Sequence, residues 1–173
     1  NTTSGNGAAV NISIPNEGAS GDIKLLNCIF TNNQSQDGGA FCASGYNIGK
    51  VVIYKSQFEE NIALGSGGAC FVRQNGGGSV NQLSVSNSVF RFNQSGTNGG
   101  AFYSGYNYFE NYFNYCLFSS NNSGNKGGAI YNEFGATGSP PTWDHAIKIE
   151  NSTFHLNIAS SVGAVLSHYG YNS

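Results

Sequence analysis

The feature that most constrains this chain is an internal repeat of 28 to 36 residues. Five segments share the pattern Phe-x-x-Asn, and eight or nine residues after each Phe comes Gly-Gly-Ala or a degenerate form of it. One such unit is too thin to bury its own apolar face, so a repeat of this length indicates units that stack on one another. The five pairs are Phe30 with Asn33, Phe58 with Asn61, Phe90 with Asn93, Phe118 with Asn121, and Phe154 with Asn157.

The residues before each Phe are also patterned. The position two before Phe is always small: Cys28, Ser56, Ser88, Cys116 and Ser152. The position five before is always apolar, and the position seven before is apolar in four of five repeats, with Asn111 as the exception. This alternation predicts strands with one face inward, and its change of phase predicts a bend between two of them. A third strand is expected just after each Gly-Gly-Ala.

Three short strands in every repeat predict an all-β fold, a right-handed parallel β-helix (β-solenoid) of about five rungs of 28–36 residues. The handedness follows from the strong preference of parallel crossovers for the right hand. We expect residues 1–173 to form a single β-helix segment of a processed chain or of a longer protein. Residues 1–21 are then the tail of a preceding rung, and the rungs cover approximately 22–49, 50–81, 82–110, 111–145 and 146–173.

Each recurrent residue has a structural interpretation. The five Phe side chains are expected to stack inside the solenoid, and the five Asn side chains to form an amide ladder in which each bonds to the next. The paired glycines suit a turn or a bulge with positive φ.

These motifs resemble the repeats of chlamydial polymorphic outer-membrane proteins, which are of the autotransporter-passenger type. The pattern Gly-Gly-Ala-Ile stands whole at Gly127–Ile130, and the resemblance extends over nearly the whole chain. It implies a right-handed β-helix in an extracellular or cell-surface location and, by analogy, an adhesive role.

Composition excludes some classes of function. Only 9% of the residues are charged and the net charge is −2, whereas phosphate binding needs clustered Lys and Arg, so we expect no nucleic-acid partner. No apolar run approaches the roughly 20 residues of a membrane helix, so no membrane span is expected. A neutral polar surface suits lateral packing or contact with sugars.

The sequence predicts no catalytic residue, no metal site and no cofactor. Polysaccharide-cleaving β-helices need clustered carboxylates, but the nine acidic residues fall at different positions of the repeat. His145, His155 and His168 lack the spacing of metal ligands. We therefore expect a non-enzymatic structural or adhesive solenoid that is part of a longer protein or of a filament. Its partners are neighbouring copies or further rungs of the same protein. The alternative is a carbohydrate-binding or polysaccharide-cleaving β-helix, with glycans as partners.

The four cysteines have different expected roles. Cys42 and Cys70 each lie twelve residues after the Phe of neighbouring repeats, which makes them candidates for a disulfide. Cys28 and Cys116 share a position but lie three rungs apart, so we expect them to be buried free thiols.

Asparagines and tyrosines supply the remaining candidate sites. Six Asn-x-Ser/Thr sequons occur, but a buried ladder amide cannot also carry a glycan, so the glycosylation candidates are Asn151, Asn11 and Asn1. Tyr46, Tyr106 and Tyr171 recur in the sequence Tyr-Asn after Gly. They are candidates for an interface or for sugar contact, the alternative being loop side chains folded onto the stack.

Overall fold

The computed structural model describes residues 1–15, 21–46, 48–74, 82–105, 111–134 and 147–170. In these residues the backbone forms strands joined by bends and contains no helix. All pairings between named strands are parallel. The strands form four sheets, one with six strands and three with five. The predicted all-β parallel β-solenoid is confirmed.

The sheets are named here by their place in the repeat. Sheet A follows Gly-Gly-Ala and contains β1 (Val10–Ile14), β5 (Phe41–Gly45), β9 (Cys70–Gln74), β13 (Phe102–Gly105), β17 (Ile130–Phe134) and β21 (Leu166–Gly170). Sheet B contains β2 (Gly21–Leu26), β6 (Ile48–Tyr54), β10 (Leu83–Ser86), β14 (Asn111–Asn114) and β18 (Ile147–Glu150). Sheet C contains the repeated Phe and consists of β3 (Ile29–Thr31), β7 (Gln57–Glu59), β11 (Val89–Arg91), β15 (Leu117–Ser119) and β19 (Thr153–His155). Sheet D follows the repeated Asn and consists of β4 (Gln34–Ser35), β8 (Ile62–Ala63), β12 (Gln94–Ser95), β16 (Asn122–Ser123) and β20 (Ile158–Ala159).

Sheet D corrects the prediction of three strands per repeat. Its strands are two residues long, and β12 pairs in register with both β8 and β16. A two-residue strand is too short to show an alternation of apolar and polar residues, so periodicity does not reveal it.

Each repeat has two bends at which a residue other than Gly has a positive φ. The first bend is three residues before Phe, at Asn27, Lys55, Asn87, Tyr115 and Asn151, where φ is between 48° and 53°. The second is two residues after Phe, at Asn32, Glu60, Phe92, Ser120 and Leu156, where φ is between 50° and 55°. Asn tolerates this left-handed region because its short polar side chain can bond to the local backbone, whereas a bulky residue is strained there by roughly 1–2 kcal/mol.

The two glycines of each Gly-Gly pair are needed for different reasons. Gly99 has a φ of +69°, a conformation that side chains disfavour. A Cβ on Gly100 would instead lie 2.1 Å from the backbone oxygen of Gly128 in the next repeat. The first glycine therefore makes the turn, and the second lets neighbouring repeats approach each other.

The core is built from columns of like residues. Neighbouring rings of the repeated Phe are stacked with centroids 4.7 to 5.0 Å apart. Phe90 also meets Phe102 of sheet A edge to face at 6.2 Å. Both are fully buried, and burial of a Phe side chain stabilises the fold by about 1.5–3 kcal/mol. The middle of the solenoid is therefore packed with aromatic side chains.

Candidate functional site

An asparagine ladder runs along the inner corner between sheets C and D. Asn93 Nδ2 donates to Asn121 Oδ1 at 2.9 Å and to the carbonyl oxygen of Phe58 at 2.9 Å. Asn93 Oδ1 accepts from the backbone N–H of Asn61 at 3.1 Å and from Asn61 Nδ2 at 3.0 Å. Asn33 and Asn121 donate to their following Asn in the same way. Each inner amide therefore has partners for both of its N–H groups and for its oxygen.

The ladder has a direction. From Asn1 to Asn121, one N–H of each amide donates to the Asn of the next repeat, and from Asn33 to Asn157 each amide oxygen accepts from the Asn of the repeat before it. Asn1 extends it, because Asn1 Nδ2 donates to Asn33 Oδ1 at 2.8 Å. At the opposite end Asn157 donates backward to the carbonyl of Phe118 at 2.9 Å, and the described residues contain no further Asn beyond it. The end at Asn157 thus presents N–H donors, and the end at Asn1 presents an acceptor.

The apolar columns are incompletely covered at both ends of the stack. Phe90 is fully buried in the middle, but Phe30 and Phe154 at the two ends are only partly buried. The inner side chains of β18, Ile147 and Ile149, are also partly exposed. Exposed apolar columns with unpaired strand edges are surfaces on which a further strand layer can pair.

The predicted disulfide between Cys42 and Cys70 is wrong, since all four cysteines are free thiols. Cys42 pairs in register with Phe71, and Phe41 pairs with Cys70. The two cysteines are therefore one residue out of register, and successive side chains of a strand point to opposite faces. Cys70 lies in the inner core, while Cys42 lies with Phe71 in a separate cluster outside sheet A.

The error comes from counting forward from Phe. Gly67 lies nine positions after Phe58, but Gly38 lies only eight positions after Phe30. Counting from Gly-Gly instead aligns Cys42 with Phe71, as observed.

Burial makes most of the thiols unreactive. It raises the pKa of Cys42 to about 12 and that of Cys116 to about 11, and it raises the pKa of Cys70 well above its usual value. A thiolate is the reactive form, so these side chains act as small apolar groups. Cys116 is buried as expected, whereas Cys28 is only partly buried.

A second stack of side chains lies on the outer face of sheet A. It consists of Cys42, Phe71, Tyr103 and Tyr131, all buried. The rings of Phe71 and Tyr103 stack at 4.6 Å, and the hydroxyl of Tyr103 donates to Glu133. Burial, reinforced by this bond to a carboxylate, raises the pKa of Tyr103. Tyr103 is therefore a packing residue.

The tyrosines predicted to contact partners are only partly described by the structure. Tyr46 is half-buried, and its backbone N–H donates to the carbonyl of Ile14 at 2.9 Å. Tyr106 and Tyr171 lie outside the described residues. The most exposed tyrosine of the described part is Tyr115, at 59%, in the first bend of its repeat.

A polar network inside the solenoid was missed by the sequence reasoning. Asn111 Nδ2 donates to Asn132 Oδ1 at 2.7 Å, and Ser104 Oγ donates to Asn111 Oδ1 at 3.2 Å. Asn132 Nδ2 is 3.0 Å from Nδ1 of His168. Ser104, Asn111 and Asn132 are buried. The signal was present in the sequence, because Asn111 is the polar exception in an otherwise apolar column.

The described carboxylates with bonding partners lie apart from one another. Glu59 pairs with Arg91, and Glu150 lies 3.1 Å from Lys148 while it accepts from the hydroxyl of Tyr112 at 2.7 Å. The bond to Tyr112 and the proximity of Lys148 lower the pKa of Glu150. In the described part of the chain, no three His, Cys, Asp or Glu side chains come together as a metal site requires. His155 is exposed, and His145 lies outside the described residues.

Glycosylation of the three candidate asparagines stays a prediction. Asn151 and Asn11 are exposed, as is Asn1. Asn1 differs from the other two because its side chain belongs to the ladder.

Comparison with known proteins gives a family match for two of the repeats. Residues 27–44 and 115–133 match the family model of the Chlamydia polymorphic membrane protein repeat. Each segment begins at a first bend and includes Phe-x-x-Asn and Gly-Gly-Ala, so the resemblance drawn from these motifs is confirmed. No significant match was found among curated proteins or among solved structures. The described residues contain no helix that is long and apolar enough to cross a membrane.

Proposed function

We propose that this chain is a non-enzymatic structural or adhesive segment of a surface-exposed, right-handed β-solenoid of about five rungs. Its two ends stack head to tail on further solenoid turns, supplied by neighbouring copies or by the same protein. The observation that carries this proposal is the direction of the asparagine ladder together with the partly exposed apolar columns at both ends.

The two ends are chemically complementary. The end at Asn157 offers amide and backbone N–H donors, and the end at Asn1 offers an amide oxygen. In a head-to-tail contact each donor meets an acceptor, as it does between inner repeats. Burying the partly exposed Phe30 and Phe154 in the same contact adds about 25 cal/mol per Å² of apolar surface.

Other features support a surface role without catalysis. The matched repeat is that of a polymorphic membrane protein, which supports an outer-membrane or cell-surface location. The described carboxylates bond to separate partners, such as Glu59 with Arg91, rather than to one another. The right hand is supported by the strong preference of parallel crossovers, and the number of rungs by sheets of five and six strands.

Sedimentation velocity of residues 1–173 across a range of concentrations tests the proposal. We expect reversible association into linear oligomers that electron microscopy shows as rods of constant width. Asn157→Asp replaces the terminal side-chain amide donor by an acceptor and should weaken the association. Asn122→Asp makes the same chemical change on the exposed wall of sheet D and should not. A protein that stays monomeric at all concentrations would contradict head-to-tail stacking.

A further inference from the structure

A shallow groove crosses the outer wall of the solenoid at the first bend. It has a volume of about 350 Å³, and three successive repeats contribute to it. Its main lining residues are Asn87, Val89, Tyr115, Leu117, Asn151 and Thr153. The groove lies on the outer wall and includes Asn151 and Thr153 of the last described repeat, whereas the proposed head-to-tail contact uses the inner Phe and Asn columns.

The lining combines one exposed ring, apolar side chains and amides, and it contains no charged residue. Tyr115 is 59% exposed, and Val89 and Leu117 are half-buried beside it. Asn87 and Asn151 are exposed in the repeats on either side of Tyr115. Asn151 Nδ2 donates to Asn114 Oδ1 at 3.1 Å, so its oxygen is held in place with acceptor capacity to spare.

Two other polar groups of the groove are bonded within the protein. Ser88 Oγ donates to the carbonyl of Ser86 at 2.8 Å, and the buried Cys116 thiol contacts the carbonyl of Asn114 at 3.4 Å. Recognition in the groove therefore depends on the ring of Tyr115, the amides of Asn87 and Asn151, and the hydroxyl of the exposed Thr153.

The backbone at Tyr115 gives a second, independent observation. Tyr115 has a φ of 52°, at a position where three of the five repeats have Asn. A bulky residue is strained there, and the exposed ring gains little burial to offset the strain. A strained, exposed aromatic residue beside a groove motivates a functional interpretation.

We propose that this groove binds a neutral carbohydrate chain. A sugar has an apolar face that stacks on an aromatic ring and hydroxyl groups that exchange hydrogen bonds with amides. The repeats are about one sugar residue apart, since stacked rings of neighbouring repeats are 4.7 to 5.0 Å apart. Amides on both sides of Tyr115 can therefore contact successive sugars. A nucleic-acid strand would also stack on Tyr115 but would need cations for its phosphates.

The variant Tyr115→Asn tests the proposal without disturbing the fold. It removes the ring and installs the residue that the same bend has in three other repeats. Lys55→Asn is the matched control, because Lys55 occupies the equivalent bend with a φ of 48° and does not line the groove. Both variants should melt no lower than the parent protein. All proteins are produced without glycosylation, since a glycan on Asn151 would occupy the groove.

The probe is an array of neutral hexose and N-acetylhexosamine oligosaccharides together with sialylated and sulfated ones, followed by calorimetric titration of the strongest neutral binder. We expect binding to neutral chains, weakened about tenfold or more by Tyr115→Asn and unchanged by Lys55→Asn. An array without signal, binding confined to acidic glycans, or equal affinity in Tyr115→Asn would each overturn the proposal. Equal loss in both variants would also overturn it, because the effect would then not come from the groove.

Discussion

Replacement of a central ladder residue, Asn93→Ala, should be among the most destabilising single changes in this fold. Asn93 is fully buried. Its side chain makes four hydrogen bonds, to Asn121, to Phe58 and to two groups of Asn61, all between 2.9 and 3.1 Å. Alanine removes all four at once and leaves a space that is too enclosed for ready access of water.

The magnitude follows from the groups left unpaired. The backbone N–H of Asn61 and one N–H of its amide lose their acceptor. A buried unsatisfied donor costs about 1–3 kcal/mol, so two donors give about 2–6 kcal/mol, and we expect a loss of about 4 kcal/mol in the free energy of unfolding. Asn157→Ala should cost less, about 1–2 kcal/mol, because Asn157 lies at the end of the stack, where water can replace the lost bonds.

Urea denaturation followed by far-UV circular dichroism measures these differences. Gln94→Ala is the control, since Gln94 is the next residue but is exposed on sheet D, and its replacement should change the free energy by less than about 0.5 kcal/mol. A loss below about 1 kcal/mol for Asn93→Ala, or equal losses for Asn93→Ala and Asn157→Ala, would refute the view that the ladder stabilises the stack through its buried amides.

Three further predictions concern the turns and the thiols. Gly100→Ala should lower the free energy of unfolding by about 3 kcal/mol or more, because its Cβ would lie 2.1 Å from the backbone oxygen of Gly128. Gly21→Ala is the control in the same urea titration and should be neutral, because the space around its Cβ is open. Cys42→Ser should reduce the alkaline loss of stability. The pKa of Cys42 is raised to about 12 in the folded state. The contribution of the neutral thiol to the free energy of unfolding is therefore complete below the unfolded pKa of about 8.5, and it falls by about 1.4 kcal/mol per pH unit between the unfolded and the folded pKa. Equal dependence of the free energy of unfolding on pH for parent and variant between pH 9 and 11 would contradict this. Phe92→Asn should raise the melting temperature, since Phe92 is 56% exposed with a φ of 55°. Relief of the strain of a bulky residue with positive φ is worth up to about 1 kcal/mol. A lower melting temperature would show that packing of the Phe92 ring stabilises the fold by more than the strain costs.

The fold was predictable because stacking forces equivalent positions to hold equivalent residues. Phe and Asn must each meet a copy of themselves in the next repeat, and this requirement leaves the Phe-x-x-Asn pattern in the sequence. The aromatic spacing of 4.7 to 5.0 Å in the structure is the same requirement expressed in distance.

Register within sheet A was less predictable because the bend between Asn and Gly-Gly varies in length. The first repeat is one residue shorter than the second between Phe and Gly-Gly, so Cys42 and Cys70, at equal distances from Phe, lie in the outer and the inner column respectively. A one-residue shift reverses the face of every side chain in a strand, so a count taken across a variable bend cannot identify contacts beyond it. The glycines adjoin sheet A directly and were the better reference point.

The groove around Tyr115 was beyond the reach of pattern analysis for a different reason. Repetition identifies residues that recur, whereas this groove depends on a residue that departs from its column. Tyr115 stands where Asn27, Asn87 and Asn151 stand in other repeats. In a solenoid the recurrent residues form the stack, so departures at exposed positions are where binding specificity can arise at little expense to the fold.

The direction of the asparagine ladder also limits how two copies can meet. Every amide from Asn1 to Asn121 donates toward the following repeat, so the two ends of the stack cannot be alike. Two ends of the Asn157 type brought together would place N–H donors against donors, and two ends of the Asn1 type would place oxygens against each other. An unpaired buried donor costs about 1–3 kcal/mol. If two copies meet through their ends, as proposed above, the ladder therefore favours head-to-tail contacts, which would produce open linear assemblies rather than closed dimers.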